Sequence, residues 1–304
     1  FIDEATIDVA VKRLFRTRMR LGMFDPPTMV PYAQIPISVN DAPEHRALAR
    51  AVACESMVLL KNTARTLPLG DDVRSIAVVG PNADDVEVLL GNYSGTPSLA
   101  VTPLGGIRAR VGSGVTVHYA QGCDLLDPSR DGFGQAVAAA RQSDVVIACV
   151  GISQRVEGEE GKGRPADRSD IVLPAVQEAL LAELFATGKP VVVVLLNGSP
   201  LAVNEAQQHA AAILEAWYPG EEGGTAIAQV LFGDYNPAGR LPITFYRSLE
   251  QLPPFEDYNM TGHTYRYSYE EPLYPFGYGL SYTTFEYKNL EVLPAFLARP
   301  EMLY

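Results

Sequence analysis

Val191-Val192-Val193-Val194-Leu195-Leu196 is a continuous run of apolar and mostly β-branched residues, and a second run of this kind occupies residues 145–150. A strand with one face in water alternates apolar and polar residues, whereas a strand that is covered on both faces is apolar throughout. We therefore predict two buried strands in a sheet that has other elements packed on both of its faces.

Strand and helix patterns alternate along the chain on both sides of these two runs. Three further apolar runs lie at residues 76–79, 115–119 and 213–217. Helical patterns occupy the segments between the runs, at residues 103–111, 131–142, 174–187, 201–209 and 222–232. Such alternation is typical of a mainly parallel sheet with helices on both faces. Residues 43–245 are predicted to form one α/β sandwich domain.

The region before this domain has a different character. Residues 3–20 show a single helical pattern that ends at Gly22, and residues 24–42 contain four prolines, which predicts a linker. A second helix is predicted at residues 44–61. The first residue is Phe1, and the sequence that follows lacks the layout of a signal peptide, so we expect the chain to begin inside a longer precursor.

The region after the domain is rich in Tyr, Pro and Gly over residues 246–283. This composition predicts extended chain and turns that wrap over the sandwich. Apolar and polar residues begin to alternate again at 284–304, which would fit the start of a β domain.

Composition excludes several classes of function. The net charge of -12 argues against nucleic acid as a partner and against attraction to anionic membrane surfaces. No apolar run reaches 18 residues, so no membrane span is expected. The three cysteines are too few for a disulfide scaffold, and none has the spacing of a zinc site.

The segment after the strand at 145–150 is the best candidate for chemistry. It runs from Gly151 to about Leu173, whereas connections from strand to helix usually take about 2–6 residues. Three carboxylates, Glu157, Glu159 and Glu160, lie within four positions of one another. Clustered carboxylates repel one another, so at least one should have a raised pKa, as a general acid needs near neutral pH.

Two other interpretations of this segment remain open from the residues alone. Arg164 and Arg168 follow the carboxylates, and the whole segment would also fit a solvated acidic loop. A cation site is a third possibility, although the spacing does not match an EF-hand loop.

Several motifs spread over residues 18–285 point to one family. They are Arg18-Met19-Arg20-Leu21-Gly22-Met23-Phe24-Asp25, Val58-Leu59-Leu60-Lys61-Asn62, Ala77-Val78-Val79-Gly80-Pro81-Asn82-Ala83, Pro237-Ala238-Gly239-Arg240-Leu241-Pro242 and Pro275-Phe276-Gly277-Tyr278-Gly279-Leu280. The chain resembles the second half of a family 3 glycoside hydrolase of the β-xylosidase/β-glucosidase type.

The resemblance implies a retaining mechanism with two carboxylates. In the family the nucleophile is an Asp of an N-terminal barrel, and the acid/base is a Glu in a segment resembling Glu-x-Glu-Gly-x-Asp-Arg. The matching residues here are Glu157-Gly158-Glu159 and Asp167-Arg168. On this match Glu159 is the acid/base, with Glu157 as second choice, and Asp167 and Arg168 bind substrate.

The resemblance also implies a division into domains. Residues 1–42 would be the end of the barrel domain and its linker, and residues 43–245 the α/β sandwich. Residues 246–283 would be a wrapping segment, and residues 284–304 the truncated start of a fibronectin III-like β-sandwich domain.

The function implied is that of the acid/base portion of an exo-acting β-glycosidase. It would release terminal β-xylosyl or β-glucosyl residues from an oligosaccharide or an aryl β-glycoside, with no cofactor and no metal. Its partner would be the upstream barrel of the same precursor, without which these 304 residues should be inactive. A secreted or periplasmic location is expected. The alternatives are a non-catalytic carbohydrate-binding or scaffold module and a carboxylate-metal enzyme.

Overall fold

The structure, a computed structural model, describes residues 2–157 and 168–291 of the chain. The chain divides into two compact units, Phe1–Leu48 and Ala49–Tyr304. None of the helices in the described ranges is long and apolar enough to cross a membrane.

The first unit contains helix α1 (Glu4–Arg20), as predicted. The side chain of Asp3 begins this helix by accepting a hydrogen bond from the backbone N–H of Thr6 at 2.8 Å. The predicted linker has local order, because it contains three turns of 3-10 helix. They are Pro27–Met29, Pro31–Gln34 and Ile37–Val39.

The prediction of one helix over residues 44–61 is wrong at its end. Helix α2 (Pro43–Ser56) ends earlier, and strand β1 (Val58–Asn62) follows. Val58, Leu59 and Leu60 are all fully buried, which a helix that packs on one face does not achieve with three consecutive residues. The apolar run fits either element, and pairing with the sheet decides for the strand.

The second unit is built around a six-stranded sheet. Strand β1 is antiparallel to its neighbour and the other strands are parallel, in the order β1-β6-β5-β4-β2-β3. The parallel strands are β2 (Ser75–Val79), β3 (Thr116–Ala120), β4 (Val145–Gly151), β5 (Val191–Leu196) and β6 (Ala212–Glu215). The prediction of a mainly parallel α/β sandwich is confirmed.

Helices of the second unit follow the strands. The longer ones are α3 (Pro103–Val111), α4 (Phe133–Arg141), α6 (Ala175–Phe185) and α8 (Gly223–Leu231). Three short helices complete the set in the described ranges: α5 (Gln154–Glu157), α7 (Asn204–His209) and α9 (Thr264–Tyr267). The helical patterns read from the sequence therefore match α3, α4, α6, α7 and α8 to within a few residues.

Strand β4 is buried on both faces, which explains why its sequence is apolar throughout. Val146, Ala148 and Val150 belong to a core cluster that includes residues of α4, α6 and α7. Val145, Ile147 and Cys149 belong to a second cluster that includes residues of α3 and α8. Successive side chains of a strand point to opposite faces, so both sets are buried only because both faces are covered.

The segment at 246–283 returns to the sandwich at two places. Phe245 and Tyr274 form an isolated antiparallel bridge, and Leu59 and Leu280 form another. Phe245 and Tyr274 are buried in the core cluster that includes α4 and α6. Residues 284–291 form no strand, and the rest of the predicted β-domain start, 292–304, lies outside the described residues.

Helices α3 and α8 pack through glycines. A Cβ added at Gly224 would lie 1.9 Å from the carbonyl oxygen of Thr102, and one added at Gly106 would lie 2.0 Å from the carbonyl oxygen of Gly224. These contacts are with backbone, which cannot move aside as a flexible side chain can. Glycine at both positions therefore permits the close approach of the two helices.

We expect Gly224→Ala to lower the free energy of unfolding by about 3 kcal/mol, because the added methyl group must push two backbones apart. Gly134→Ala is the matched control: Gly134 lies in α4, and a Cβ there would meet nothing within 4 Å. The control should be neutral or stabilising by up to about 1 kcal/mol. Urea unfolding of both variants measures the difference, and equal effects would contradict the packing described.

Candidate active site

The candidate site lies at the carboxyl edge of the parallel strands. From β2 the chain crosses over to β3 on one side, whereas β4 lies on the other side of β2. In open α/β sheets, ligands bind in the crevice at such a reversal of strand order. The loops that leave β2 and β4 therefore flank the expected site.

Two sets of side-chain contacts join these loops. The buried amide of Asn82 donates from Nδ2 to the carbonyl oxygen of Ile152 at 3.2 Å. Arg155 forms ion pairs with Asp85 at 2.9 Å and with Glu87 at 2.7 Å. These contacts tie the short helix α5, which ends at Glu157, to the loop after β2.

A pocket of about 590 Å³ opens beside the end of α5. Its walls come from the loops after β2, β4, β5 and β6. The residues that line it are Asn92, Glu157, Arg168, Asp170, Ile171, Gly198, Ser199, Pro200 and Tyr218. The pocket therefore brings together loops that are far apart in sequence and that all leave the same edge of the sheet.

One carboxylate oxygen of Glu157 accepts three hydrogen bonds from the turn after β5. The donors to Oε1 are the backbone N–H of Gly198 at 3.0 Å, the backbone N–H of Ser199 at 2.7 Å and the Ser199 hydroxyl at 2.8 Å. These three hydrogen bonds anchor the Glu157 side chain at the floor of the pocket.

Arg168 is half-buried and contacts the turn after β5 that also holds Glu157. Its Nη1 donates to the Ser199 hydroxyl at 3.3 Å and its Nη2 donates to the carbonyl oxygen of Val172 at 2.9 Å. Burial lowers the pKa of Arg168, and the negative charges of Glu157 and Asp170 oppose that effect. A guanidinium remains charged at neutral pH, so Arg168 places a cation beside the Glu157 carboxylate.

The Tyr218 hydroxyl is buried against Glu157. Burial is the largest cause of its strongly raised pKa, and the negative charge of Glu157 adds to it. Because its pKa is raised, the hydroxyl is neutral at physiological pH, and it borders the pocket beside the Glu157 carboxylate.

Glu215 places a buried carboxyl group behind the pocket. It is fully buried at the end of β6, where Oε2 accepts from Asn197 Nδ2 at 3.1 Å and Oε1 from the backbone N–H of Trp217 at 3.0 Å. Burial raises its pKa from 4.5 to about 8, and the charge of Glu157 contributes. Glu215 is therefore mainly protonated at neutral pH.

Strand β6 ends at Glu215, two residues before the predicted end. Trp217 has a φ of 58°, which no strand residue adopts, so the chain turns out of the sheet there. The Trp217 indole donates to the carbonyl oxygen of Ser56 at 3.1 Å and packs edge-on against Phe245. Its role is structural.

The structure brings together two of the four residues predicted for the site. Glu157 and Arg168 both contact Ser199, whereas Glu159 and Asp167 lie outside the described residues. Sequence reasoning missed the residues supplied by the other loops: Asn92, Ser199, Glu215 and Tyr218. Of these four residues, Glu215 had a signal in the sequence, because it is a charged residue inside a run that is predicted to be a buried strand.

No group of three or more potential metal ligands occurs within residues 2–157 and 168–291. The carboxylates of the pocket have other partners. Asp170 Oδ1 accepts from the backbone N–H of Ile171 at 2.7 Å and of Val172 at 3.2 Å, which forms a tight turn.

The sequence pattern of the glycosyl hydrolase family 3 C-terminal domain matches residues 57–282. The chain belongs to this family. The match covers all six strands and all the loops that form the pocket. The resemblance inferred from the motifs is confirmed.

Known relatives are glycosidases. The chain is 41% identical over 294 residues to a β-xylosidase of Formosa agariphila, covering 92% of this chain and 40% of the relative. It is 42% identical over 321 residues to a periplasmic β-glucosidase of Salmonella typhimurium, covering 93% and 41%. A solved structure of a family 3 exo-β-xylosidase with a xylobiose aziridine probe is similar, with 35% sequence identity and a TM-score of 0.81. That match covers 93% of this chain and 37% of the exo-β-xylosidase chain. The chain thus spans about 40% of the length of the relatives that it matches.

Glu215 should make stability depend on pH. Because its pKa is raised from 4.5 to about 8 on folding, the folded state binds the extra proton between these values. The contribution of Glu215 to stability is complete below about pH 4.5 and is lost as pH rises through about 8. We expect Glu215→Gln to remove this part of the decline in the free energy of unfolding between pH 5 and 8.5.

Urea unfolding across that pH range measures the effect. The matched control is Glu183→Gln, which changes an exposed glutamate on α6 and should leave the pH dependence of the wild type unaltered. Parallel curves for the wild type and Glu215→Gln would show that Glu215 does not hold a proton in the folded state.

Proposed function

We propose that this chain is the acid/base-bearing portion of a retaining, exo-acting β-glycosidase that releases terminal β-xylosyl or β-glucosyl residues. The observation that carries the proposal is the pocket at the carboxyl edge of the sheet in a chain of glycosyl hydrolase family 3. Glu157 and Arg168, the two residues that flank the 158–167 segment, both line this pocket. The relatives named above, a β-xylosidase and a β-glucosidase, support the sugar class.

A retaining glycosidase needs two carboxyl groups about 5–5.5 Å apart. One protonates the leaving oxygen and later activates water, and the other attacks the anomeric carbon. Glu157 and Asp170 are the carboxylates of the described pocket, and both are engaged by backbone N–H groups. Neither is placed to attack, so the nucleophile is assigned to the barrel that we expect upstream.

Glu159 is the first candidate for the acid/base and Glu157 is the second. A general acid must carry a proton in the resting enzyme. Glu157 Oε1 already accepts three hydrogen bonds from the turn after β5, which suits an anchor better than a group that must reach a substrate oxygen. Glu159 stands two residues further along the same segment.

Asp167 and Arg168 are proposed to bind the sugar. Arg168 has five N–H donors, and its described contacts use one at Nη1 and one at Nη2. Further donors can therefore reach sugar hydroxyls. A neutral glycoside is also compatible with the net charge of -12.

The proposed domain division follows the sequence expectation. Residues 1–42 would end the barrel domain and form the linker, and residues 43–245 the sandwich. Residues 246–283 would wrap over the sandwich, and residues 284–304 would open a β-sandwich domain. The division of the chain into compact units between Leu48 and Ala49 supports a boundary in this region.

Glu159→Gln should lower kcat/KM for a phenyl β-glycoside by about two orders of magnitude or more in the protein that includes the upstream barrel. A phenolate is a poor leaving group and needs protonation, whereas 2,4-dinitrophenolate leaves without it. The same variant should therefore keep most of its kcat/KM for 2,4-dinitrophenyl β-xyloside or β-glucoside. Steady-state kinetics on both substrates measures the ratio.

Glu157→Gln is the matched variant for this test. If it shows the leaving-group dependence and Glu159→Gln does not, Glu157 is the acid/base. Wild-type kinetics in both variants would contradict the proposed function and favour a carbohydrate-binding or scaffold module.

The 304-residue chain alone should not hydrolyse aryl β-glycosides above the uncatalysed rate, because the second carboxylate is supplied by the barrel. Release of 4-nitrophenol at high protein concentration measures this directly. Sustained turnover that is abolished by Glu159→Gln would show that the chain holds its own nucleophile.

A further inference from the structure

We propose that Ser199 is a positioning residue of the proposed hydrolysis, because its hydroxyl joins Glu157 to Arg168 on the floor of the pocket. This inference rests on the proposed function. It concerns a residue on the turn after β5, outside the segment in which the acid/base was sought.

The Ser199 hydroxyl uses its one donor and one of its two acceptor lone pairs on these two residues. It donates to Glu157 Oε1 at 2.8 Å and accepts from Arg168 Nη1 at 3.3 Å. The backbone N–H of Ser199 adds a second bond to Glu157 Oε1 at 2.7 Å. One residue therefore orients a carboxylate and a guanidinium at once.

Hydrogen bonds from the side chain of Asn197 hold the turn that carries Ser199. The buried Asn197 side chain donates from Nδ2 to the carbonyl oxygen of Ser199 at 3.0 Å and to Glu215 Oε2 at 3.1 Å. Glu215 belongs to β6, so the turn is fastened to the neighbouring strand of the sheet. Side chains that are supported in this way keep a geometry that a free loop would lose.

The Glu157 carboxylate also packs closely on this turn. A Cβ added at Gly198 would lie 2.9 Å from Glu157 Oε2 and 2.9 Å from Tyr218 Cε2. The carboxylate thus packs directly on the Gly198 backbone, with the Tyr218 ring alongside. Ser199 supplies the one side-chain donor among the three that hold it.

Glu157 and Arg168 stand on either side of residues 158–167 in the chain, which include Glu159 and Asp167. A change at Ser199 therefore acts on both flanking residues together. If Glu157 itself were the acid/base, Ser199 would position that residue directly. Ser199 is a positioning residue whether Glu159 or Glu157 is the acid/base. The role of Ser199 and the choice of the acid/base can therefore fail separately.

Ser199→Ala removes the hydroxyl and leaves the backbone N–H. Loss of a hydrogen bond to a charged group should lower kcat/KM for a phenyl β-glycoside about ten-fold or more in the protein with its upstream barrel. The value for the 2,4-dinitrophenyl glycoside should change by less than about three-fold, because that substrate needs no proton. Ser199→Thr keeps a hydroxyl and should restore most of the loss.

Ser113→Ala is the control, because Ser113 is exposed and precedes β3, at the opposite edge of the sheet. It should leave both kinetic values unchanged. A loss in Ser199→Ala that is equal for both substrates would show a merely structural role and overturn the proposal. Unchanged kinetics in Ser199→Ala would overturn it as well.

A second measurement is independent of catalysis. In the 304-residue chain, Ser199→Ala and Glu157→Ala should shift the midpoint of urea unfolding non-additively, since each removes the hydrogen bond between the Ser199 hydroxyl and Glu157. Additive shifts would contradict the contact on which the proposal depends. Coupling in this cycle together with wild-type activity of Glu159→Gln and Glu157→Gln would preserve the contact and reject the assignment of the acid/base to this chain.

Discussion

The hydrogen bonds between Glu157 and the turn after β5 are the contact on which the rest of the site depends. Two backbone N–H groups and one hydroxyl converge on a single carboxylate oxygen. The same hydroxyl receives the Arg168 guanidinium. These bonds connect the long segment after β4 to the turn that follows the neighbouring strand β5. The edge of the sheet therefore determines the positions of Glu157 and Arg168, which flank residues 158–167.

The convergence is a consequence of burying a parallel sheet on both faces. The strands must run side by side in the interior, and their carboxyl ends then meet at one edge. Loops after β2, β4, β5 and β6 reach the same pocket although more than a hundred residues separate Asn92 from Tyr218. The buried pair of Asn197 and Glu215 extends this order beneath the pocket, at the cost of a carboxyl group that is held protonated.

Sequence reasoning recovered the layers of the fold and part of the site. Continuous apolar runs identified β2, β4, β5 and β6 because burial on both faces leaves no room for alternation. The edge strand β3 was also found, although it is partly exposed and contains Thr116 and His118. The same rule failed for β1, where an apolar run directly after helix α2 was assigned to the helix. The same rule predicted that β6 extends to Trp217, whereas the strand ends at Glu215. The turn at Trp217 depends on a positive φ that the sequence does not display.

The site could be predicted only where it is local in sequence. Glu157 and Arg168 belong to one segment, and its length and charge made it conspicuous. Ser199 and Tyr218 reach the pocket through tertiary structure, and neither has a neighbouring motif that indicates its role. Glu215 was detectable in principle as a charge within a buried strand, but its partner Asn197 lies on another strand exit.

The most direct test of the account is the effect of azide on the Glu159→Gln variant of the protein with its upstream barrel, with a 2,4-dinitrophenyl β-glycoside as substrate. Azide needs no general base, so it attacks a glycosyl-enzyme intermediate that water cannot attack once the base is lost. The account predicts faster turnover in azide and a glycosyl azide product of β configuration by NMR. An absence of acceleration in both Glu159→Gln and Glu157→Gln, or a product of α configuration, would contradict it.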